Sequence, residues 1–139
     1  MKRTANSVWT GSLKEGHGKI TTQSKVVNEA QYSFDSRFGE GKSTNPDELL
    51  AAAHSGCFAM ALSNILGEAG FTADSLDVKC TITMDVDNLE ITASHLALEA
   101  KIPKISQDQF MECANAAKEG CPMSKVLNAD ITLEAKLDN

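Results

Sequence analysis

Cysteine is the residue type in this chain best suited to chemistry, and four occur: Cys57, Cys80, Cys113 and Cys121. A thiolate is a strong nucleophile, and sulfur can take up oxygen or a second sulfur reversibly. No two of the four stand in a Cys-x-x-Cys pair, so the best signal for a thioredoxin-type or zinc-ribbon site is missing. Cys80 falls between Val78 and Ile82 on the apolar positions of an alternating run, and Cys113 falls on the apolar face of a helical one; both read as small core residues. Cys121 follows Gly120 and precedes Pro122 at the start of a helical turn. Backbone N–H groups at such a start favour the thiolate, although a solvent-facing helix cap fits the same pattern. Cys57 lies mid-helix among Ala, Phe and Met, where a buried, inert thiol is the stronger local reading, because burial opposes ionisation. For Cys57 to react, a cation must lie near it. None stands on its own helix within two turns, and Arg37, the only arginine besides Arg3, is the reasonable donor, with a guanidinium that stays charged.

His54 stands three residues before Cys57, so the two share a helix face. That permits a histidine-activated cysteine hydrolase, or a zinc site built from His54, Cys57 and Cys121. Neither has an evident third orienting group or fourth ligand. A carrier of hydrophobic ligands is a third, non-enzymatic reading.

The elements that must position these residues are marked unevenly. Ser7–Thr10, residues 19–23 and residues 31–35 look like strands, with Gly16-His17-Gly18 as a turn between the first two. Residues 39–44 read as a loop. Asn45 can cap a helix, Pro46 suits its first position, and Asp47 and Glu48 suit its positive end. This helix should run to about Ala69 and stop at Gly70. It is apolar on most sides between Leu49 and Leu66, which points to a protein core. Residues 76–84 alternate as a strand, and residues 89–102 form another whose inward face shifts by one residue between Ala93 and Leu96, the mark of a bulge or strong twist. Ser106 can cap a helix from Gln107 to about Glu119, ended by Gly120; a short turn from Cys121 and a last strand over 130–137 follow. The expected class is α+β, with strands around a buried central helix in a single domain spanning 1–139.

Composition narrows the function classes. Hydrophobic residues make up 42% and charged residues 23%, normal for a globular protein, and the formal net charge is -6. An acidic chain is a poor match for nucleic acid or an anionic membrane surface. No apolar stretch follows the basic Met1-Lys2-Arg3, and the run from Leu49 to Leu62 is interrupted by His54 and Ser55, so neither a secretory signal nor a membrane span is expected. The expected location is the cytoplasm, where a disulfide would be catalytic or sensory.

Taken together, residues 42–58, KSTNPDELLAAAHSGCF, resemble the central-helix motif of the OsmC/Ohr family, the osmotically induced protein C and organic hydroperoxide resistance proteins. Residues 119–127, EGCPMSKVL, resemble its second cysteine motif, and residues 31–38, QYSFDSRF, are similar to the OsmC branch. The resemblance implies an intertwined homodimer with active sites at the subunit interface. It implies thiol-dependent reduction of organic hydroperoxides, and more weakly of hydrogen peroxide, without metal, haem or flavin. Cys57 then takes the attacking position, Cys121 the resolving position and Arg37 that of the branch's arginine. The family's usual glutamate, ten residues before the attacking cysteine, is replaced here by the shorter Asp47, with Glu48 beside it, so either carboxylate is a candidate partner for Arg37. An external dithiol, from a lipoylated protein or a thioredoxin-like donor, would return the disulfide to thiols. Asp47 and Cys57, ten residues apart on one helix, have backbones roughly 15 Å apart. The pair serving one Cys57 is therefore expected to come from the other subunit. Leu49, Leu50, Phe58 and Met60 are candidates for an apolar substrate wall, with core packing as the alternative.

Overall fold

A computed structural model describes residues 1–139, and the chain divides into two compact units, Met1–Leu49 and Leu50–Asn139.

In the first unit, β1 (Ala5–Thr10), β2 (His17–Thr22) and β3 (Ala30–Tyr32) form an antiparallel sheet in that order. His17 and Gly18 lie inside β2 and pair with Thr10 and Trp9; the turn sits earlier, closed by the Gly16 N–H on the Ser12 carbonyl. Gly18 is required because Tyr32 and Trp9 cover it: an added Cβ would collide with both rings. The strand expected over 31–35 ends at Tyr32, and Phe34–Phe38 is a short helix, α1. Ser33 and Ser36 explain the departure from extended structure. Their side chains reciprocally cap each other's backbone N–H groups, a local bond set that a strand cannot offer.

Helix α2 (Pro46–Glu68) starts where its signals place it: the Asn45 side-chain oxygen accepts the Glu48 N–H at 2.8 Å. It ends on Gly70, whose φ of +85 suits a residue without Cβ, while the Phe71 N–H reaches back to the Leu66 carbonyl. By length and composition alone α2 is apolar enough to cross a membrane, a test that the core helix of a globular protein also passes. Within this chain it buries one stripe, His54, Phe58, Leu62 and Leu66, spaced by four residues, while Ala52, Ala53, Gly56 and Met60 are exposed.

The second unit carries β4 (Ser75–Asp85) and β5 (Glu90–Lys101) as an antiparallel pair, α3 (Gln107–Gly120), the short α4 (Pro122–Val126) and β6 (Asp130–Leu137), which pairs parallel to β5. The bulge anticipated near Ala93 lies close by. Thr83 pairs with Ala93 and Met84 with Ile91, which leaves Thr92 unopposed. Beyond it, Ser94, Leu96, Leu98 and Ala100 point inward. They meet Phe58, Leu62 and Leu66 of α2 and Phe110, Ala114 and Ala117 of α3 in one core. Ser106 and Gln109 form the capping box of α3. Gly120 is the helix's last residue, not its stop; the extended backbone of Cys121 ends it.

Candidate active site

The cysteine pair lies within the second unit. Cys57 comes from the middle of α2, and Cys121 from the residue that ends α3 and begins α4. The Cys121 thiol donates to Cys57 Sγ at 2.9 Å. Cys121 is fully buried and makes no side-chain cap, so the solvent-facing cap reading fails. Pro122 at the first position of α4 turns the chain and leaves the cysteine side chain free to face α2. Cys57 is partly exposed, which allows a small molecule to reach it.

Within this chain the surroundings of Cys57 do not favour its thiolate. Burial, followed by the bond to Cys121, pushes the Cys57 thiol above its ordinary range, and the Met123 backbone N–H pulls in the opposite direction. None of the groups that shift this thiol is a cation.

The first unit supplies a charged pair of the right kind. Arg37, at the end of α1, donates from Nε to Asp47 Oδ2 and from a terminal nitrogen to Asp47 Oδ1, both at 3.1 Å. This fork fixes the guanidinium plane. Of the two carboxylates expected to compete for Arg37, Asp47 makes the fork, while Glu48 accepts the Thr44 hydroxyl at 3.0 Å and lines the start of α2. Ser36 ties α1 to the following loop through the Thr44 carbonyl, and the Asn45 amide donates back to the Ser36 carbonyl. Beside Arg37 is an open cavity of about 290 Å³ lined by Trp9, Leu13, Tyr32, Phe34 and Phe38. These residues escaped the sequence reading because they are scattered along the chain; the clustering of most of the aromatic residues in the first 38 positions was the available signal. Of the side chains proposed as an apolar wall, Phe58 is instead a fully buried core residue, Met60 is 76% exposed, and Leu49 and Leu50 are half-buried.

His54 does not face Cys57. Its Nδ1 meets Ser94 Oγ at 2.7 Å and its Nε2 meets Ser124 Oγ at 2.9 Å. The hydrolase and zinc readings both need a ring nitrogen turned toward Cys57, and both nitrogens are engaged elsewhere. Cys80, expected in the core, is partly buried and bonds Ser94 Oγ at 3.2 Å; Cys113 is 8% exposed and packs in the core as expected. Ser94 and Ser124 were missed because a lone serine carries no sequence signal without its partner.

Comparison with known proteins gives a consistent family. A family model described as OsmC-like protein matches residues 39–136. Peroxiredoxin OsmC of Escherichia coli is 46% identical over 131 residues, covering 93% of this chain and 92% of that protein. The crystal structure of the organic hydroperoxide resistance protein OhrB of Bacillus subtilis superposes with a TM-score of 0.66 at 26% identity, covering 96% of this chain and 98% of the other. An OsmC-like protein from Mycoplasma pneumoniae shares the fold at a TM-score of 0.77 and 15% identity, covering 100% of this chain and 99% of that one.

Proposed function

The chain belongs to the OsmC-like protein family, and from that premise we propose that it is a thiol-dependent peroxidase that reduces organic hydroperoxides and draws its electrons from a thiol reductant. The observation that carries this reading is the 2.9 Å approach of Cys57 and Cys121, two free thiols sixty-four positions apart in sequence.

In the proposed cycle, Cys57 thiolate attacks the terminal peroxide oxygen. The O–O bond breaks, the alcohol leaves with a proton, and Cys57 becomes a sulfenic acid. Cys121 then attacks that sulfur, a disulfide forms and water leaves. An external dithiol, with a lipoylated protein as the first candidate and a thioredoxin-like donor as the second, takes up the disulfide and returns both thiols. Arg37, oriented by Asp47, lowers the Cys57 pKa and stabilises charge on the departing oxygen. Because ten residues of helix separate Asp47 from Cys57, we assign the Arg37–Asp47 pair at each Cys57 to the partner subunit of a homodimer. The apolar surface that α2 exposes in one chain supports a second copy packing there, with 1–139 acting as one functional domain. The aromatic cavity beside Arg37 supports an organic rather than a small inorganic peroxide. The cytoplasm, with its reducing thiols, is the proposed location.

Stopped-flow consumption of cumene hydroperoxide and hydrogen peroxide, with dithiol present, tests the proposal. Faster turnover of the organic peroxide, with one disulfide formed per peroxide in single turnover, is expected. Peroxide consumption no faster than by free cysteine would overturn it.

A further inference from the structure

We infer that His54 is a positioning residue for the disulfide-forming step, and that it acts by clamping α4 to α2 through Ser124. The inference rests on the peroxidase reading above.

The geometry is a two-rung ladder. His54 and Cys57 are three residues apart on α2, so they occupy one helix face a turn apart. Ser124 stands three residues after Cys121, across the single turn of α4. The rungs connect in reversed order: His54 Nε2 to Ser124 Oγ at 2.9 Å, and Cys57 Sγ to Cys121 Sγ at 2.9 Å. The imidazole is itself held from behind. Its Nδ1 meets Ser94 Oγ on β5 at 2.7 Å, and Cys80 Sγ on β4 meets the same hydroxyl at 3.2 Å. His54 and Ser94 are both fully buried. The ring therefore spans from the sheet, through α2, to the segment that carries the resolving sulfur.

The two rungs differ in what the reaction does to them. Peroxide attack places an oxygen on Cys57 Sγ, and the sulfur–sulfur contact must open to accommodate it. Disulfide formation then requires Cys121 to attack from the side opposite the leaving oxygen, at about 2.05 Å in the product. The His54–Ser124 rung contains no reacting atom, so it keeps its bond while the sulfur rung opens and closes. It holds Cys121 within reach during the lifetime of the sulfenic acid. Without it, α4 is a five-residue helix that lacks a side-chain cap at its start. A sulfenic acid that waits for its partner meets a second peroxide instead: the O–O bond breaks again, a second alcohol leaves, and Cys57 becomes sulfinic acid, which a dithiol does not reverse.

The test is the partition of Cys57 between disulfide and over-oxidation. Full-length wild type and variants are pulsed with cumene hydroperoxide. Dimedone trapping of the sulfenic acid and the mass gain of the sulfinic acid are read by mass spectrometry. Ser124→Ala, at a half-buried position, removes the rung with least risk to folding. His54→Gln places an amide nitrogen near the lost Nε2 and keeps the reach to Ser124, whereas His54→Asn reaches only toward Ser94. Ser124→Ala and His54→Asn should raise the trapped and over-oxidised fraction about tenfold, as a loss of orientation predicts, while His54→Gln stays within about twofold of wild type. The rate of the first oxidation should move little in all three. Leu66→Ala, in the core far along α2, serves as a variant of lowered stability with an unchanged partition. A wild-type partition in folded Ser124→Ala would overturn the inference and leave the peroxidase reading standing. Absence of any peroxide-driven disulfide in the wild type would overturn both.

Discussion

At the residue scale, the roles proposed for the two proximal sulfurs differ, so their variants should fail differently. Cys57→Ser removes the nucleophile and should reduce peroxide consumption to the uncatalysed background. Cys121→Ser keeps the nucleophile, so a rapid-mixing trace should show one equivalent consumed and then a stop. Sustained turnover of Cys121→Ser with dithiol would remove its resolving role. Arg37 is the proposed counter-charge for Cys57, whose thiol burial pushes up. Arg37→Lys keeps the charge but loses the fork on Asp47. A fall in kcat/KM of about a hundredfold is expected, the size usual for a displaced transition-state donor. Arg37→Gln removes the charge and should move the pH midpoint of Cys57 alkylation by iodoacetamide upward.

At the element scale, the packing of α2 against the bulged β5 makes a serine and a histidine part of the core. Ser94→Ala would leave His54 Nδ1 and the Cys80 thiol without their shared partner, a loss of about 1–3 kcal/mol in a denaturant titration. Burial holds the His54 pKa below its ordinary 6.5, so the folded chain keeps this ring neutral. Below pH 6.5 the unfolded chain takes up a proton that the folded chain does not, and stability must fall as the pH is lowered from there toward the folded-state pKa. A melting temperature that declines below pH 6.5 in the wild type, and less steeply in His54→Gln, is the expected signature. The bulge at Thr92 lets Ile91 and Ser94 both face inward. Deleting Thr92 would remove the extra residue and restore strict alternation with Ile91 and Ser94 both still facing inward, so the His54–Ser94 bond should survive.

At the scale of the whole molecule, the proposed composite site makes a prediction that no single chain can meet. Sedimentation should give twice the chain mass of 14.9 kDa. Cys57→Ser and Arg37→Ala chains are each expected to be nearly inactive. Refolded together at equal amounts, half of the dimers are mixed, and each mixed dimer holds one intact site if Arg37 serves the opposite chain. About a quarter of wild-type activity should return. No recovery would place Arg37 and Cys57 of the same chain in one site.

The sequence by itself determined the helix that carries Cys57, because Asn45, Pro46 and Gly70 act through the backbone next to them and need no distant partner. It likewise marked Cys121 as the cysteine at a helix start, the final alternating strand, and a break in alternation near Ala93. Residues 33–38 and the turn before β2 are also set locally, by the Ser33–Ser36 capping box and the Gly16–Ser12 bond, but the first is obscured by an apparent strand pattern and the second lies earlier than the glycines suggest. Tertiary structure alone decided which carboxylate takes Arg37, since Asp47 and Glu48 are both acidic and adjacent and only the position of α1 separates them. It alone turned His54 away from Cys57 toward two serines, and brought Cys57 and Cys121 together. The reason is common to all three: such contacts join residues far apart in the chain, and their energy depends on distances that only the packed elements define.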